Sequence, residues 1–180
     1  LPEARANRFI KDFGMSEYDA DVLTSEIEVA DYFEECASVY KNSKTIANWI
    51  MGGIMAQVNL KGISIREIGV SPQDLASLLK MIDGRIISGK MAKEVLIEAI
   101  ETRRKPYQIV ESKGLKQISD EAELDGIVRV VLNREAKSVK DYKSGKTNAF
   151  TFLIGQIMKE TKGRANPKIV NEILKKNLGE

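Results

Sequence analysis

Apolar residues recur three and four positions apart along nearly the whole chain of 180 residues. Near the C-terminus this spacing is clearest, because a single helix face there would carry Phe150, Leu153, Ile154, Ile157 and Met158. No segment shows the strict alternation of apolar and polar residues that is typical of a half-buried strand. The sequence therefore predicts an all-α protein.

Residues that favour helix ends set the expected limits of the helices. Ser25 and Glu28 have the spacing of a capping box, Ser71 precedes Pro72 as a cap, and Ser119 can cap a further helix. The helix from Ser71 continues to Asp83, the helix after Ser25 runs to about residue 40, and the one after Ser119 to about 133. The remaining helices are expected at 4–12, 43–60, 90–103, 136–143, 148–162 and 167–178.

One short polar segment, residues 111–120, separates two parts of the chain. Gly114 is expected to end one helix, and Ser119 to start the next. We expect a helical bundle over residues 1–114 and a small basic tail domain over residues 115–180. The chain begins without a methionine or a leader, as a piece of a longer protein would.

The net charge of +2 conceals a strong difference between the two ends. Residues 1–40 contain ten acidic residues and three basic ones, whereas residues 127–180 contain twelve basic residues and five acidic ones. A segment of this kind either binds a polyanion or is a solvated basic surface.

Several kinds of chemistry are excluded by composition. The chain has no histidine, which removes the commonest general base and metal ligand. Its single cysteine, Cys36, cannot form an internal disulfide, falls on an apolar helix face, and favours a reducing, cytoplasmic location. The longest apolar run, residues 46–58, is shorter than the roughly 20 residues that a bilayer helix needs, so no membrane association is expected.

No catalytic residue is predicted. Gly84, Gly89 and Lys90 have the spacing of a phosphate-binding loop, but Met91 follows where Ser or Thr would bind magnesium, and the preceding residues read as a helix instead of a strand. The sequence therefore predicts no catalytic, cofactor or metal site in this chain.

The segment KETKGRANPKIV, residues 159–170, is the best candidate for a binding site. Asn166 and Pro167 are expected to start a helix whose free backbone N–H groups attract anions. Asn166 would satisfy one of these groups itself and Pro167 has none, so this helix start is expected to contribute less than a glycine-rich phosphate loop. Phe152 could stack on a base or pack against another helix, and packing is favoured. The basic residues expected to contact phosphates are Lys159, Lys162, Arg164, Lys168 and Lys175, with Lys143 and Lys146 as weaker candidates.

Four stretches resemble a known family. SPQDLASLLKMIDGRIISGKMAKEVL, KGLKQISDEAELDGIV and FLIGQIMKETKGRANPKIVNEILKK are similar to the C-terminal helical and tail regions of GatB, the B-type subunit of the aspartyl/glutamyl-tRNA amidotransferases. LPEARANRFIKDFGMSEYDADVLTSEIEVADYFEE resembles the start of that helical region. The tail also resembles the small free-standing YqeY-like proteins. The family motif is met from Lys162 to Lys168, with Arg164 where lysine is also common.

The resemblance implies a non-catalytic role for this chain. In the family, GatB uses ATP and magnesium to activate the carboxylate of Glu or Asp carried by tRNA of the Gln or Asn type. Ammonia from the amidase subunit, GatA, then forms the amide, in a complex that includes the small subunit GatC. By resemblance, activation belongs to a large N-terminal domain, and the tail contacts the outer corner of the tRNA. RNA helices are commonly recognised by shape, which suits a basic helical surface.

Two other functions remain open from the sequence. The acidic N-terminal bundle could instead dock on another subunit or domain, with Glu34 and Glu35 in the contact. The chain could also act as an enzyme by itself, in which case ATP binding would depend on Lys90.

Overall fold

The structure, a computed structural model, describes residues 2–179. Over these residues it is all-α, without a β-strand, as predicted. No helix in this range is long and apolar enough to cross a membrane. The helices are α1 (Pro2–Phe13), α2 (Glu17–Thr24), α3 (Ile27–Val39), α4 (Ser43–Trp49), α5 (Met55–Lys61), α6 (Pro72–Asp83), α7 (Gly89–Thr102), α8 (Pro106–Lys113), α9 (Glu121–Arg134), α10 (Ala136–Lys143), α11 (Asn148–Glu160) and α12 (Pro167–Leu178).

The chain forms two compact units. The first unit contains the residues up to Gly84 together with Gly89–Gly114. The second unit contains Arg85–Ser88 and the residues from Leu115 onward. Residues 85–88 leave the first unit between α6 and α7, and the carbonyl of Ile86 accepts a hydrogen bond from the backbone N–H of Gln117. Gly114 ends α8 in the left-handed conformation, with φ of 60°, as expected of a glycine at this position.

The core of the first unit is built on α1, α3 and α6. Phe9 lies against Phe33 with ring centroids 5.0 Å apart, and Phe13 closes the same cluster. The buried Tyr32 hydroxyl donates to the carbonyl of Val70 at 2.9 Å. This bond satisfies the polar group of a side chain that is almost completely buried.

The helix predicted over 43–60 is interrupted. Residues Ile50–Ile54 form a π-helical turn between α4 and α5. A Cβ atom added to Gly53 would lie 3.1 Å from Leu96 Cδ2, so α7 packs closely against this turn. Glycine lowers the helix preference of the turn and permits that approach, which the apolar periodicity alone does not reveal.

One predicted cap is wrong. Ser25 ends α2, a helix that the sequence analysis did not anticipate, and its hydroxyl donates to the carbonyl of Val22 at 2.8 Å. The N-cap of α3 is Glu26, which makes no side-chain capping bond. The expected capping box of Ser25 and Glu28 does not form, because Ser25 hydrogen bonds backward to α2.

A second cap is displaced by one residue. Asp120, not Ser119, caps α9 by accepting from the backbone N–H of Glu123 at 2.7 Å. The Ser119 hydroxyl is buried and has no hydrogen-bond partner within residues 2–179. Ser71 does cap α6, where it forms a capping box with Asp74, and the predicted end of this helix at Asp83 is confirmed.

In the second unit, α9, α11 and α12 surround a core that includes Leu124, Val128, Leu153, Ile157 and Val170. The last residues of α9 and α11 form an ion pair, Arg134 Nη1 to Glu160 Oε2 at 2.9 Å. Asn177, near the end of α12, donates to Asp125 near the start of α9 at 2.8 Å and so ties these two helices together. Helix α10 packs on α11 without burying a residue completely.

Candidate nucleic-acid interface

The corner loop, residues 161–166, joins α11 to α12. Helix α11 ends in a pair of bonds from successive N–H groups: Lys162 donates to the carbonyl of Lys159 at 3.1 Å, and Gly163 donates to that of Met158 at 2.7 Å. In this arrangement the first donor normally is a glycine, because the residue must be left-handed. Lys162 takes that place with φ of 51°.

Backbone contacts fix the corner loop to the rest of the second unit. The N–H of Ile118 donates to the carbonyl of Arg164 at 2.7 Å, and the N–H of Asn166 donates to the carbonyl of Ile118 at 2.9 Å. Between them Ala165 is completely buried. The hydroxyl of Thr161 donates to the carbonyl of Ile157 at 3.0 Å. The loop is therefore a tethered part of the fold.

The start of α12 is closed to anions at the backbone. Asn166 caps the helix, and its side-chain oxygen accepts from the N–H groups of Lys168 at 3.1 Å and Ile169 at 3.4 Å. Pro167 has no N–H, and Val170 donates to the carbonyl of Asn166. The predicted cap and proline are confirmed. The Asn166 side chain engages two N–H groups where one was expected, and its carbonyl engages a third, so the helix start offers even less to an anion than predicted. Anion binding at the corner must come from side chains.

The predicted basic residues differ in how available their side chains are to a phosphate. Lys146 forms an ion pair with Asp141, Nζ to Oδ1 at 3.0 Å, and Arg164 is half-buried. The others are exposed, and within residues 2–179 no ion pair engages them. These are Lys143, Lys159, Lys162, Lys168 and Lys175.

The structure separates these residues into two groups. Lys159, Lys162, Arg164 and Lys168 lie on the corner loop and the two helix ends that it joins, with Lys175 two turns along α12; we call these five residues the corner cluster. Lys143 and Lys146 lie at the other end of α11, about 18 Å away along its axis at 1.5 Å per residue.

Two features of this surface were missed. Lys137 and Lys140 are exposed on α10, and together with Lys143 they recur at every third position. This spacing was visible in the sequence. Glu172 is exposed on the helix face that carries Lys168 and Lys175, so it lowers the positive potential of that face.

Glu34 and Glu35 are paired within the first unit. Glu34 forms ion pairs with Arg5 and Arg8, and Glu35 forms one with Arg66, Nη1 to Oε1 at 2.9 Å. These are the two carboxylates that the docking hypothesis uses, and the structure engages both with neighbouring arginines. A partner that bound them would have to replace those contacts.

Potential catalytic groups are inert or badly placed. Burial raises the pKa of the Cys36 thiol to about 12, and the residue is completely buried, which confirms its predicted place in the core. Lys90 lies in the first turn of α7, after helix α6 and a turn, so no strand precedes it as a phosphate-binding loop requires. Within residues 2–179, no group of acidic residues and cysteine is arranged to hold a metal ion.

An apolar groove lies beside the π-helical turn of the first unit. It has a volume of about 470 Å³ and is lined by residues that include Trp49, Gly52, Leu96 and Ile97. Lys93 is the charged residue in this lining. The groove does not bring an acid, a base and a nucleophile together.

Comparison with known proteins identifies the family of this chain. A family model described as a GatB domain matches residues 31–178. The B-type subunits of aspartyl/glutamyl-tRNA(Asn/Gln) amidotransferases are similar over nearly the whole chain: that of Caldanaerobacter subterraneus is 48% identical over 180 residues, and those of Thermotoga maritima and Geotalea daltonii are 46% and 47% identical over 178 residues.

These matches include 99–100% of this chain but only 37–38% of each relative. The chain corresponds to the C-terminal portion of those subunits. The resemblance expected from the sequence is thereby confirmed, and the chain belongs to the GatB domain family of tRNA amidotransferase subunits.

Proposed function

We propose that this chain is the non-catalytic, tRNA-binding portion of an amidotransferase GatB protein, and that the corner cluster contacts the phosphates of the tRNA. The observation that carries this proposal is the placement of four exposed lysines without an ion pair, within residues 2–179, around a loop that the backbone fixes to the core. They are Lys159, Lys162, Lys168 and Lys175.

Electrostatics favours a polyanion as the ligand. Because these lysines form no intramolecular ion pair, no ion pair has to be broken when they bind a phosphate. Each contact with a phosphate also releases counterions from the nucleic acid. Rigid placement also reduces the entropy that binding would cost. A flexible basic tail would lack this second advantage.

RNA suits this surface better than a small phosphate ligand does. The backbone N–H groups around the corner are already used, so the site lacks the cradle that holds a single phosphate group. Helical RNA is recognised through spaced phosphates and ribose hydroxyls, which lysines on two helices and a loop can reach. The names of the similar proteins specify tRNA of the Asn or Gln type.

In the whole protein, the bound tRNA would carry Glu or Asp to be converted to the amide. Activation with ATP and magnesium would belong to the part of GatB that this chain does not include, and ammonia would come from the amidase GatA within a complex that also contains GatC. The task of this chain would be to select and position the tRNA. These steps take place in the cytoplasm, where translation occurs.

A salt-dependent titration tests the proposal. The 180-residue chain is titrated against fluorescent tRNA of the Gln and Asn types at two salt concentrations. We expect weak binding. The logarithm of the association constant should fall by about 0.7 to 0.9 per unit of the logarithm of salt concentration for each phosphate contacted. Changing Lys159→Glu and Lys168→Glu together should reduce the affinity by at least about tenfold and make the salt dependence shallower.

The matched control is Lys41→Glu with Lys44→Glu, which makes the same change of charge on exposed residues of the first unit. If the control pair weakens binding as much as the corner pair does, the corner is not the site. If the unaltered chain does not bind tRNA at low salt, the proposed function is wrong.

A further inference from the structure

Two large apolar side chains are exposed on the second unit, away from its core. The side of α11 opposite the buried stripe carries Phe152, which leaves 45% of its surface exposed, and Val130 on α9 leaves 58% exposed. Phe152 was expected to pack against another helix, and the structure instead exposes nearly half of it.

A lysine shares the helix face that carries Phe152. Phe152 and Lys159 are seven residues apart on α11 and therefore share a face. Glu160, which follows Lys159 in the chain, is paired with Arg134.

Gly155 lies on the same face, between Phe152 and Lys159. A Cβ atom added to this residue would meet nothing within 4 Å, so packing within the chain does not require a glycine there. Glycine in the interior of a helix is less stable than alanine. The absence of a side chain would, however, let an external group approach the helix backbone between an aromatic ring and a lysine.

We propose that this face is a stacking platform for the RNA: Phe152 stacks on an exposed base, a ribose lies over Gly155, and Lys159 contacts the adjoining phosphate. The inference rests on the proposed function and assigns to it a contact that no lysine can supply. RNA is favoured over an apolar protein surface because Lys159 is exposed on the same stripe and, within residues 2–179, has no ion pair.

The first test separates stacking from charge. The affinity of the 180-residue chain for tRNA is measured for Phe152→Ala, Phe152→Leu and Phe152→Trp. Stacking on aromatic side chains strengthens binding, so the Ala and Leu variants should bind about fivefold more weakly or worse, with an unchanged salt slope. The Trp variant should keep the affinity, and its fluorescence should be quenched by RNA beyond any change that Trp49 shows in the unaltered chain.

The second test uses one substitution that should stabilise α11 and weaken tRNA binding. Gly155→Ala should slow the hydrogen exchange of the α11 amides, because alanine favours the helix and its Cβ meets open space. The same change should weaken tRNA binding, because the Cβ would occupy the space of the ribose. A residue with a merely structural role would not stabilise the helix and weaken the complex together.

Three outcomes overturn this inference. If the unaltered chain binds tRNA and both Phe152→Ala and Gly155→Ala bind equally well, the platform is wrong while the proposed function stands. If the unaltered chain does not bind tRNA, both fail together. If sedimentation shows a dimer that Phe152→Ala dissociates without a change in RNA affinity, the face belongs to a second copy of the chain.

Discussion

Asn166 and Ile118 are joined by a backbone hydrogen bond, N–H to carbonyl oxygen at 2.9 Å, and the N–H of Ile118 returns a bond to Arg164 at 2.7 Å. These bonds form a parallel bridge between Ile118 and Ala165. They link the corner loop to the segment that leads into α9. The lysines of the corner cluster are thus carried by backbone whose position depends on the core of the second unit.

Replacing Asn166 with alanine should destabilise the second unit. The change removes the acceptor for the N–H groups of Lys168 and Ile169, and loss of such a cap costs about 1 kcal/mol. Urea unfolding followed by NMR signals of the second unit measures the loss. A free energy of unfolding equal to that of the unaltered chain would contradict the role of the cap.

The matched variant Asn166→Asp separates stability from binding. Aspartate keeps the acceptor oxygen and is favourable at a helix start, so the free energy of unfolding should remain close to the original value. It also adds a negative charge beside Lys168, and the affinity for tRNA should fall. Equal affinity of the Asp variant and the unaltered chain would show that the phosphates lie elsewhere.

Lys162→Gly should stabilise the second unit while it weakens RNA binding. A lysine at φ of 51° is strained, and glycine accepts this conformation readily, so we expect a gain of about 0.5 to 1 kcal/mol in the free energy of unfolding. The lost charge should reduce the salt slope of tRNA binding by about 0.7 to 0.9. Urea unfolding and salt titration of one sample measure both effects.

The control for that change is Lys162→Asn, because asparagine tolerates the left-handed conformation better than most residues and is also neutral. It should reduce the salt slope as glycine does, with a smaller gain in stability. If both variants keep the full salt slope of tRNA binding, Lys162 does not contact phosphate.

Helical periodicity and end signals predicted most of the elements in the second unit, because long apolar stripes and an Asn-Pro pair act locally. Local signals were ambiguous where two capping residues were close together. Ser25 is the C-cap of α2 and not the N-cap of α3. Asp120, and not its neighbour Ser119, is the N-cap of α9. The choice depends on where the neighbouring helix ends, which the local sequence does not state.

The candidate site was predictable in its residues but not in its chemistry. The basic side chains of the corner and the Asn166 cap could be read from the chain, yet the engagement of two N–H groups by the Asn166 oxygen could not, because it depends on side-chain geometry. The pairing of Glu34 with Arg5 and Arg8 likewise joins residues more than twenty positions apart. Exposure of Phe152 depends on which face α9 and α12 leave uncovered.

Glu172→Gln should strengthen tRNA binding. Glu172 is four residues after Lys168 and three before Lys175 on the exposed face of α12, so its charge opposes an approaching phosphate. Removing one charge at this range should tighten binding about two- to threefold at low salt and less at high salt. The control is Glu94→Gln, at an exposed position of α7, which should change the affinity little. A weaker complex after Glu172→Gln would contradict phosphate binding on this face.

Asp125 should make the stability of the second unit depend on pH in acid. The hydrogen bond from Asn177 at 2.8 Å, followed by the charge of Arg129, holds the pKa of the Asp125 carboxyl below its ordinary value. Because the folded pKa is the lower one, the stabilisation is complete above the unfolded pKa of about 3.9 and is lost as the pH falls through the folded value.

The neutral variant Asp125→Asn isolates this contribution. At pH 6 it should be less stable than the unaltered chain, and the difference in free energy of unfolding should shrink as the pH falls below about 4. Carbon-detected NMR titration of the Asp125 carboxyl should give a pKa below the ordinary value. Since Arg129 and Asn177 both favour the ionised carboxylate, a difference that stays constant down to pH 2, about two units below the unfolded pKa, would contradict the assignment of these contacts.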